Sequence, residues 1–188
     1  MVVWLDYGHG INTKGKQAVV EGQHIKEWVL NKEIGEKIRQ NLLNSQIPVR
    51  LTNESDSDIS LTQRVANVKK DDLFVSIHNN AFNGKARGFE IFTSVGKTKA
   101  DLLADLIIEQ IEPLYKILKV PLRYDLSDGD KDKEKGFYVL RKTPCPAVLI
   151  EVMFFDNPID LAILQCEAFQ QEVARLISVG IKNFLETR

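Results

Sequence analysis

The chain is poor in the residues that most often announce a function: its 188 residues hold three histidines, two cysteines and two tryptophans. Cys145 and Cys166 have no Cys-x-x-Cys spacing, which removes zinc-finger and thioredoxin-type motifs. Both are expected to be buried free thiols rather than a disulfide. No apolar run is long enough to span a bilayer, so no integral membrane segment is expected. The opening MVVWLDYGHG lacks a basic segment, a long apolar run and a cleavage site, so no secretory signal is expected either. An excess of one charge is also missing: 25 Lys and Arg stand against 26 Asp and Glu. That balance gives no support to nucleic-acid binding, which favours a basic chain. There is no Gly-x-Ser-x-Gly elbow, no P-loop and no dinucleotide fingerprint, which excludes the commonest serine-hydrolase and nucleotide-binding signatures.

What is present suits one globular unit. With 44% hydrophobic and 27% charged residues, residues 1–188 are expected to form a single domain that needs no disulfide staple. Val2 to Leu5 reads as a buried strand running into the turn Asp6-Tyr7-Gly8-His9-Gly10, and residues 11–22 as a loop. Leu30, Ile34, Ile38 and Leu42 recur every four residues, which predicts a helix over 27–44. Ile47 to Thr52 reads as an edge strand. Ser60 caps a helix that carries Leu61, Val65 and Val68. Asp72 to His78 is apolar enough for a central parallel strand, with another at Gly88 to Thr93. Ala100 to Leu118 reads as a helix that Pro113 kinks or ends. Residues 125–136, the most polar stretch, read as a mobile surface loop. Phe137 to Leu140 and Ala147 to Val152 read as strands, and a long helix starts at Asp160. The alternation predicts an α/β fold: a mixed, mostly parallel twisted sheet of about six strands with helices on both faces.

Two of the histidines end predicted strands. His9 follows the first and His78 closes the third, while Glu151 closes the strand near the C-terminus. Ligands of open α/β sheets bind outside the carboxyl ends of the strands, so these three are expected to meet at one edge. Imidazole and carboxylate suit a catalytic zinc, which takes three protein ligands and leaves a fourth position open. A further carboxylate off the metal is needed to move protons. Taken singly, each histidine is more often a structural residue at a strand end. The flanking Gly8 and Gly10 argue otherwise, because they let the backbone turn sharply and leave the imidazole accessible. Glu151 stands inside AVLIEVMFF, where an unpaired carboxylate is costly. His24 lacks such a context and reads as a surface residue. Glu21, Glu27, Glu33 and Glu36 are all open as the remaining carboxylate; for Glu27 alone, the ordinary reading is a first-turn glutamate favoured by the helix dipole.

The chain resembles the amidase-3 family of zinc-dependent N-acetylmuramoyl-L-alanine amidases over nearly its whole length. The likeness rests on Leu5-Asp6-Tyr7-Gly8-His9-Gly10, on Glu27 with Asn31, and on Leu61, Arg64, Ala66 and Asn67. It continues in Ser76-Ile77-His78-Asn79-Asn80-Ala81, in Gly88 with Glu90, in Val139-Leu140-Arg141, in Pro146 through Glu151, and in Asn157. Each fragment alone is weak, and their common order is specific. The resemblance implies one Zn2+ per chain on His9, Glu27 and His78, with Glu151 as the catalytic carboxylate. It implies hydrolysis of the amide between the lactyl group of N-acetylmuramic acid and L-alanine in peptidoglycan. Asn80 and Arg64 are further candidates, Asn80 to orient the loop or substrate and Arg64 to pair with a carboxylate inside the fold. Ile11 to Lys16 and Glu27-Trp28 resemble a short subgroup found in phages and prophages, while Asn53 and Met153 depart from common family choices. Such an enzyme is expected to be made in the cytoplasm and to reach the wall by lysin-type release or non-classical export, with no obligate protein partner visible. A zinc peptidase or deacylase on a similar fold, and a wall-binding module without catalysis, are the competing readings.

Overall fold

The computed structural model describes residues 1–127 and 129–187. Its strands are β1 (Val3–Tyr7), β2 (Gln17–Val20), β3 (Gln23–Lys26), β4 (Val49–Leu51), β5 (Leu73–Asn80), β6 (Glu90–Thr93), β7 (Lys133–Glu134) and β8 (Ala147–Phe154). Its helices are α1 (Glu27–Asn44), α2 (Leu61–Val65), α3 (Lys99–Ile117), α4 (Tyr138–Lys142), α5 (Pro158–Leu164) and α6 (Glu167–Glu186). Six strands form one sheet in the order β4-β1-β5-β8-β6-β7. β4, β1, β5 and β8 are parallel, β6 runs antiparallel to β8, and β7 is parallel to β6. The expected mixed, mostly parallel α/β sheet is therefore present.

Side chains alternate across these strands. Val3, Leu5, Val75, Ile77, Val148, Ile150 and Ile91 point to one face, where α1, α3 and α6 bury them in the main core. Each fully buried aliphatic side chain there contributes about 1.5–3 kcal/mol. The opposite face is divided along the strands. Trp4, Phe74, Leu149 and Phe92 make a small apolar cluster under Val139 and Leu140 of α4. One pleat further along, the same face carries Asp6, Ser76, Glu151 and Glu90. The short helices α2 and α4 cover the apolar half, and α2 also brings Arg64 onto Asp6.

Several local expectations are corrected. Residues 11–22 are not all loop: Gln17–Val20 pairs with Gln23–Lys26 as the hairpin β2–β3. Its two-residue turn, Glu21-Gly22, has φ of 50° and 81°, the left-handed pair of a type I′ turn. Residues 137–140 are not a strand: Tyr138–Lys142 is a helical turn that presents Val139 and Leu140 to the small cluster, and the sixth sheet strand is β7. α3 runs through Pro113, which stands on the exposed side where water can satisfy the carbonyl it leaves unpaired. The C-terminal helix is two helices. Asn157 caps α5, with Pro158 at its first turn, and α6 starts after Cys166. Cys145 is buried as expected but Cys166 is exposed, and neither forms a disulfide among the described residues.

α3 and α6 cross at Gly180, where a Cβ would lie 2.7 Å from the backbone Cα of Ile107. Glycine is needed there for the approach of two helices, not for a turn. Gly180→Ala should gain about 1 kcal/mol of helix propensity but lose about 1–3 kcal/mol to overpacking. The expected net result is a melting temperature lower by roughly 2–4 °C. A raised melting temperature would show that this crossing has room to spare.

Candidate active and metal centre

The parallel strands β1 and β5 are neighbours and end at the same edge, so Gly8-His9 and His78 emerge side by side. The hairpin β2–β3 then returns the chain to that edge, with the Glu27 amide donating to the Lys16 carbonyl at 3.1 Å. This places Glu27, the first residue of α1, between the two imidazoles. His78 Nδ1 lies 2.8 Å from Glu27 Oε1, and His9 Nε2 lies 3.2 Å from Glu27 Oε2. The two rings stand at 88° with centroids 4.9 Å apart. One ligand atom from each of His9, Glu27 and His78 lies within 4.8 Å of the others.

The set fits a divalent metal. His9 Nε2 is buried and, despite its closeness to Glu27, is not aligned for a hydrogen bond with any partner. Lone pairs that converge without a proton between them are what ligation needs. A tetrahedral ion with bonds of about 2.0–2.1 Å separates its ligands by roughly 3.3 Å, close to the His9–Glu27 spacing. Burial would raise the Glu27 pKa, but the hydrogen bond with His78 and the closeness of both imidazoles prevail and hold it well below the usual carboxylate range. Burial lowers the His78 pKa, yet the Glu27 carboxylate outweighs it and the net shift is upward.

The backbone around His9 is unusual, and the sequence-based reason needs correcting. The flanking glycines do not carry the left-handed turn; His9 itself does, with φ 68°. A non-glycine residue there costs on the order of 1 kcal/mol or more. Gly8 is required because a Cβ would fall inside the His78 imidazole, and Gly10 because a Cβ would overlap the Asp58 backbone. Arg64 holds the turn. Its Nη1 donates to Asp6 Oδ1 at 2.6 Å and to the Tyr7 carbonyl at 3.1 Å. Its Nη2 donates to the His9 carbonyl at 2.7 Å and to Asp58 Oδ1 at 2.6 Å. Asn31 donates to the Gly8 carbonyl and to Glu27, and accepts from Asn79.

Glu151 faces His78 across β5 and β8 in register. Its Oε2 is buried and receives no hydrogen bond. Burial pushes its pKa up to about 8; Glu27 and Glu90 add to the rise while His78 and Lys16 oppose it. His9, His78, Glu151, Lys16, Asp58 and Tyr138 lie among the residues around a cavity of about 440 Å3. A larger one, about 600 Å3, sits around Cys145 at the opposite end of β8 and contains none of the ligating groups. Asn80 does not line the centre: it donates to Glu90 at 2.6 Å and accepts from the Ala81 amide. His24 is exposed on β3. Asp58 and Lys16 escaped the sequence reading because nothing in their polar loops distinguishes them. Asp6 carries the same signal as Glu151, a carboxylate within an apolar strand.

The family described as N-acetylmuramoyl-L-alanine amidase matches residues 3–183. The endolysin of Bacillus phage SPP1 is 34% identical over 190 residues, covering 100% of this chain and 67% of that protein. The N-acetylmuramoyl-L-alanine amidase CwlM of Bacillus licheniformis is 37% identical over 179 residues, covering 92% of this chain and 64% of that one. The chain thus spans about two thirds of these curated relatives. The solved N-acetylmuramoyl-L-alanine amidase of Clostridium difficile 630 superposes with a TM-score of 0.84 at 29% identity, covering 100% of this chain and 97% of that one.

Gly8→Ala tests the packing of the centre directly. The added methyl must displace the His78 ring, and affinity for a divalent metal should fall by about 10–100-fold, the scale of losses when a ligand's support is disturbed. Competition against a chromophoric chelator measures it. Unchanged affinity in a folded variant would remove His78 from the ligand set.

Proposed function

The chain belongs to the N-acetylmuramoyl-L-alanine amidase family, and on that premise we propose that it hydrolyses the amide between the lactyl group of N-acetylmuramic acid and L-alanine of the peptidoglycan stem, using zinc. The observation that carries this reading is the convergence of His9, Glu27 and His78 beside Glu151 at the mouth of one cavity. Two imidazoles and one carboxylate are a catalytic zinc set with a position left over. Bound there, zinc supplies Lewis acidity, which makes water a competent nucleophile at neutral pH and polarises a carbonyl.

The protein groups do the rest. Glu151 takes a proton from the attacking water as the oxygen bonds to the lactyl carbon. It then delivers that proton to the alanine nitrogen as the carbon–nitrogen bond breaks. The products are the lactyl carboxylic acid and a stem peptide with a free alanine amine, so one water is consumed. An uncommitted Oε2 one strand from His78 suits Glu151 to this part. Glu27 orients the His78 imidazole, and Asn31 and Arg64 fix the turn that presents His9. Arg64 and Asn80 are committed to protein partners, which supports positioning roles for both. Kinship with a phage endolysin supports action on the bacterial wall, as lysis or remodelling. Among the described residues, no helix is long and apolar enough to cross a membrane.

Digestion of purified peptidoglycan, followed by mass spectrometry, should release stem peptides beginning with L-alanine. A chelator should abolish the release and zinc should restore it. Glu151→Gln should keep its metal and lose about 10²–10⁴-fold in kcat. Cuts within the stem peptide would replace the amidase reading by a peptidase one. Full activity of Glu151→Gln would remove Glu151 from proton transfer.

A further inference from the structure

The row of side chains that carries the centre continues past Glu151. In register, His78 faces Glu151 and Glu151 faces Glu90 on β6. Neighbouring strands lie about 4.8 Å apart, so Glu90 stands roughly 10 Å from His78, on the flank of the centre away from His9. Glu90 is a buried carboxylate, 6% exposed, with unusually strong company. Arg123 Nε at 2.9 Å and Lys133 Nζ at 2.6 Å both donate to its Oε1, and Asn80 Nδ2 donates to Oε2 at 2.6 Å. Two cations share this one carboxylate, and the exposed Asp125 and Lys135 also lie within electrostatic reach of the group. The Arg123 side chain is 42% exposed and the Lys133 side chain 22%. Arg123 makes its hydrogen bond here through Nε and lies over the Phe154 ring, so its two terminal amino groups remain for a second carboxylate, which guanidinium binds as a fork.

The other flank of the centre differs. The cavity there is walled by Leu61, Tyr138, Val139 and Leu149, and its rim cation Lys16 lies 3.9 Å from Glu27. A neutral sugar with its lactyl arm suits that side, and an anionic peptide suits the side of Arg123 and Lys133. In the stem, the residue after L-alanine is an isoglutamyl unit whose α-carboxylate is free in some walls and amidated in others. From the alanine nitrogen to that carboxylate is about two extended residues, roughly 6–7 Å. Arg123 and Lys133 lie one to two strand spacings beyond Glu151, about 5–10 Å.

Resting on the amidase reading, we propose that Arg123 and Lys133, held in place by Glu90 and Asn80, form a specificity subsite for the α-carboxylate of the second stem residue. The enzyme therefore prefers walls in which that group is free. Glu90 serves as a positioning residue: it fixes two flexible cations beside the scissile bond.

The test compares two synthetic muramyl peptides that differ only in D-isoglutamate against D-isoglutamine. The unmodified protein should favour the acid about tenfold in kcat/KM, the low end for a charge-assisted hydrogen bond because Arg123 is partly exposed. Added salt should shrink that preference. Arg123→Ala and Lys133→Met should each move the ratio toward one, mainly through KM, and Arg123→Lys should recover part of it. Calorimetry with the free peptides should show the same order of affinities, a readout that needs no turnover. Equal kcat/KM for the two substrates, at every salt concentration, would overturn the subsite and leave the amidase standing. If neither substrate is cut, the amidase reading falls, and the peptide affinities still decide whether the carboxylate is recognised. If a variant melts early, the salt series on the unmodified protein decides alone.

Discussion

A single buried guanidinium holds the end of β1 in the shape on which the centre depends. Arg64 donates to two carboxylates and two backbone carbonyls, and its side chain is only 3% exposed. As a source of stability such a pair is unremarkable, because removing two charges from water offsets most of their attraction. Its value lies in position. Asp6 also accepts from Thr52 and Ser76, which ties Arg64 to β5 and to the segment after β4. The left-handed His9 is thereby overdetermined by its surroundings, as a strained residue must be. Once paired, the arrangement is hard to dismantle piecemeal, since deleting one partner of a buried ion pair costs about 3–5 kcal/mol.

The second constraint is the division of one sheet face. Trp4, Phe74, Leu149 and Phe92 need cover, and the short helices α2 and α4 give it. Asp6, His78, Glu151 and Glu90 need solvent, a partner or an ion; α2 supplies Asp6 with Arg64, and Glu90 finds Arg123, Lys133 and Asn80. The boundary runs across the strands, so a step of two residues along any of them exchanges packing for chemistry. His78 and Glu151 therefore sit on rigid strands with orientations fixed by register, and Glu27 on a helix terminus, while His9 lies in the turn after β1.

Much of this was legible in the sequence where a pattern had one physical meaning. α1 occupies Glu27–Asn44, where the four-residue spacing of Leu30, Ile34, Ile38 and Leu42 placed it. Polar residues ending apolar strands pointed to His9, His78 and Glu151. The failures occurred where signals were short or shared. Val139-Leu140 is too brief for its period to separate a helical turn from a strand. The β2–β3 hairpin hid behind Glu21-Gly22, because Glu21 adopts a positive φ that glutamate seldom takes. Glu27 could not be singled out from its own context, since a glutamate opening a helix is ordinary; its neighbours in space come from residues 9 and 78. The cations on Glu90 were invisible for the same reason: residues 90, 123 and 133 are joined only by the fold.

The strand order also has a consequence for how the chain is made. β8 is the last strand to leave the ribosome, yet it takes a place in the middle of the sheet, between β5 and β6. Until Ala147–Phe154 is synthesised, two inner strands have open edges and the sheet is in two pieces. The strand that closes the gap also brings Glu151. Closure of the sheet and the arrival of Glu151 beside His78 are therefore one late event, followed only by α5 and α6.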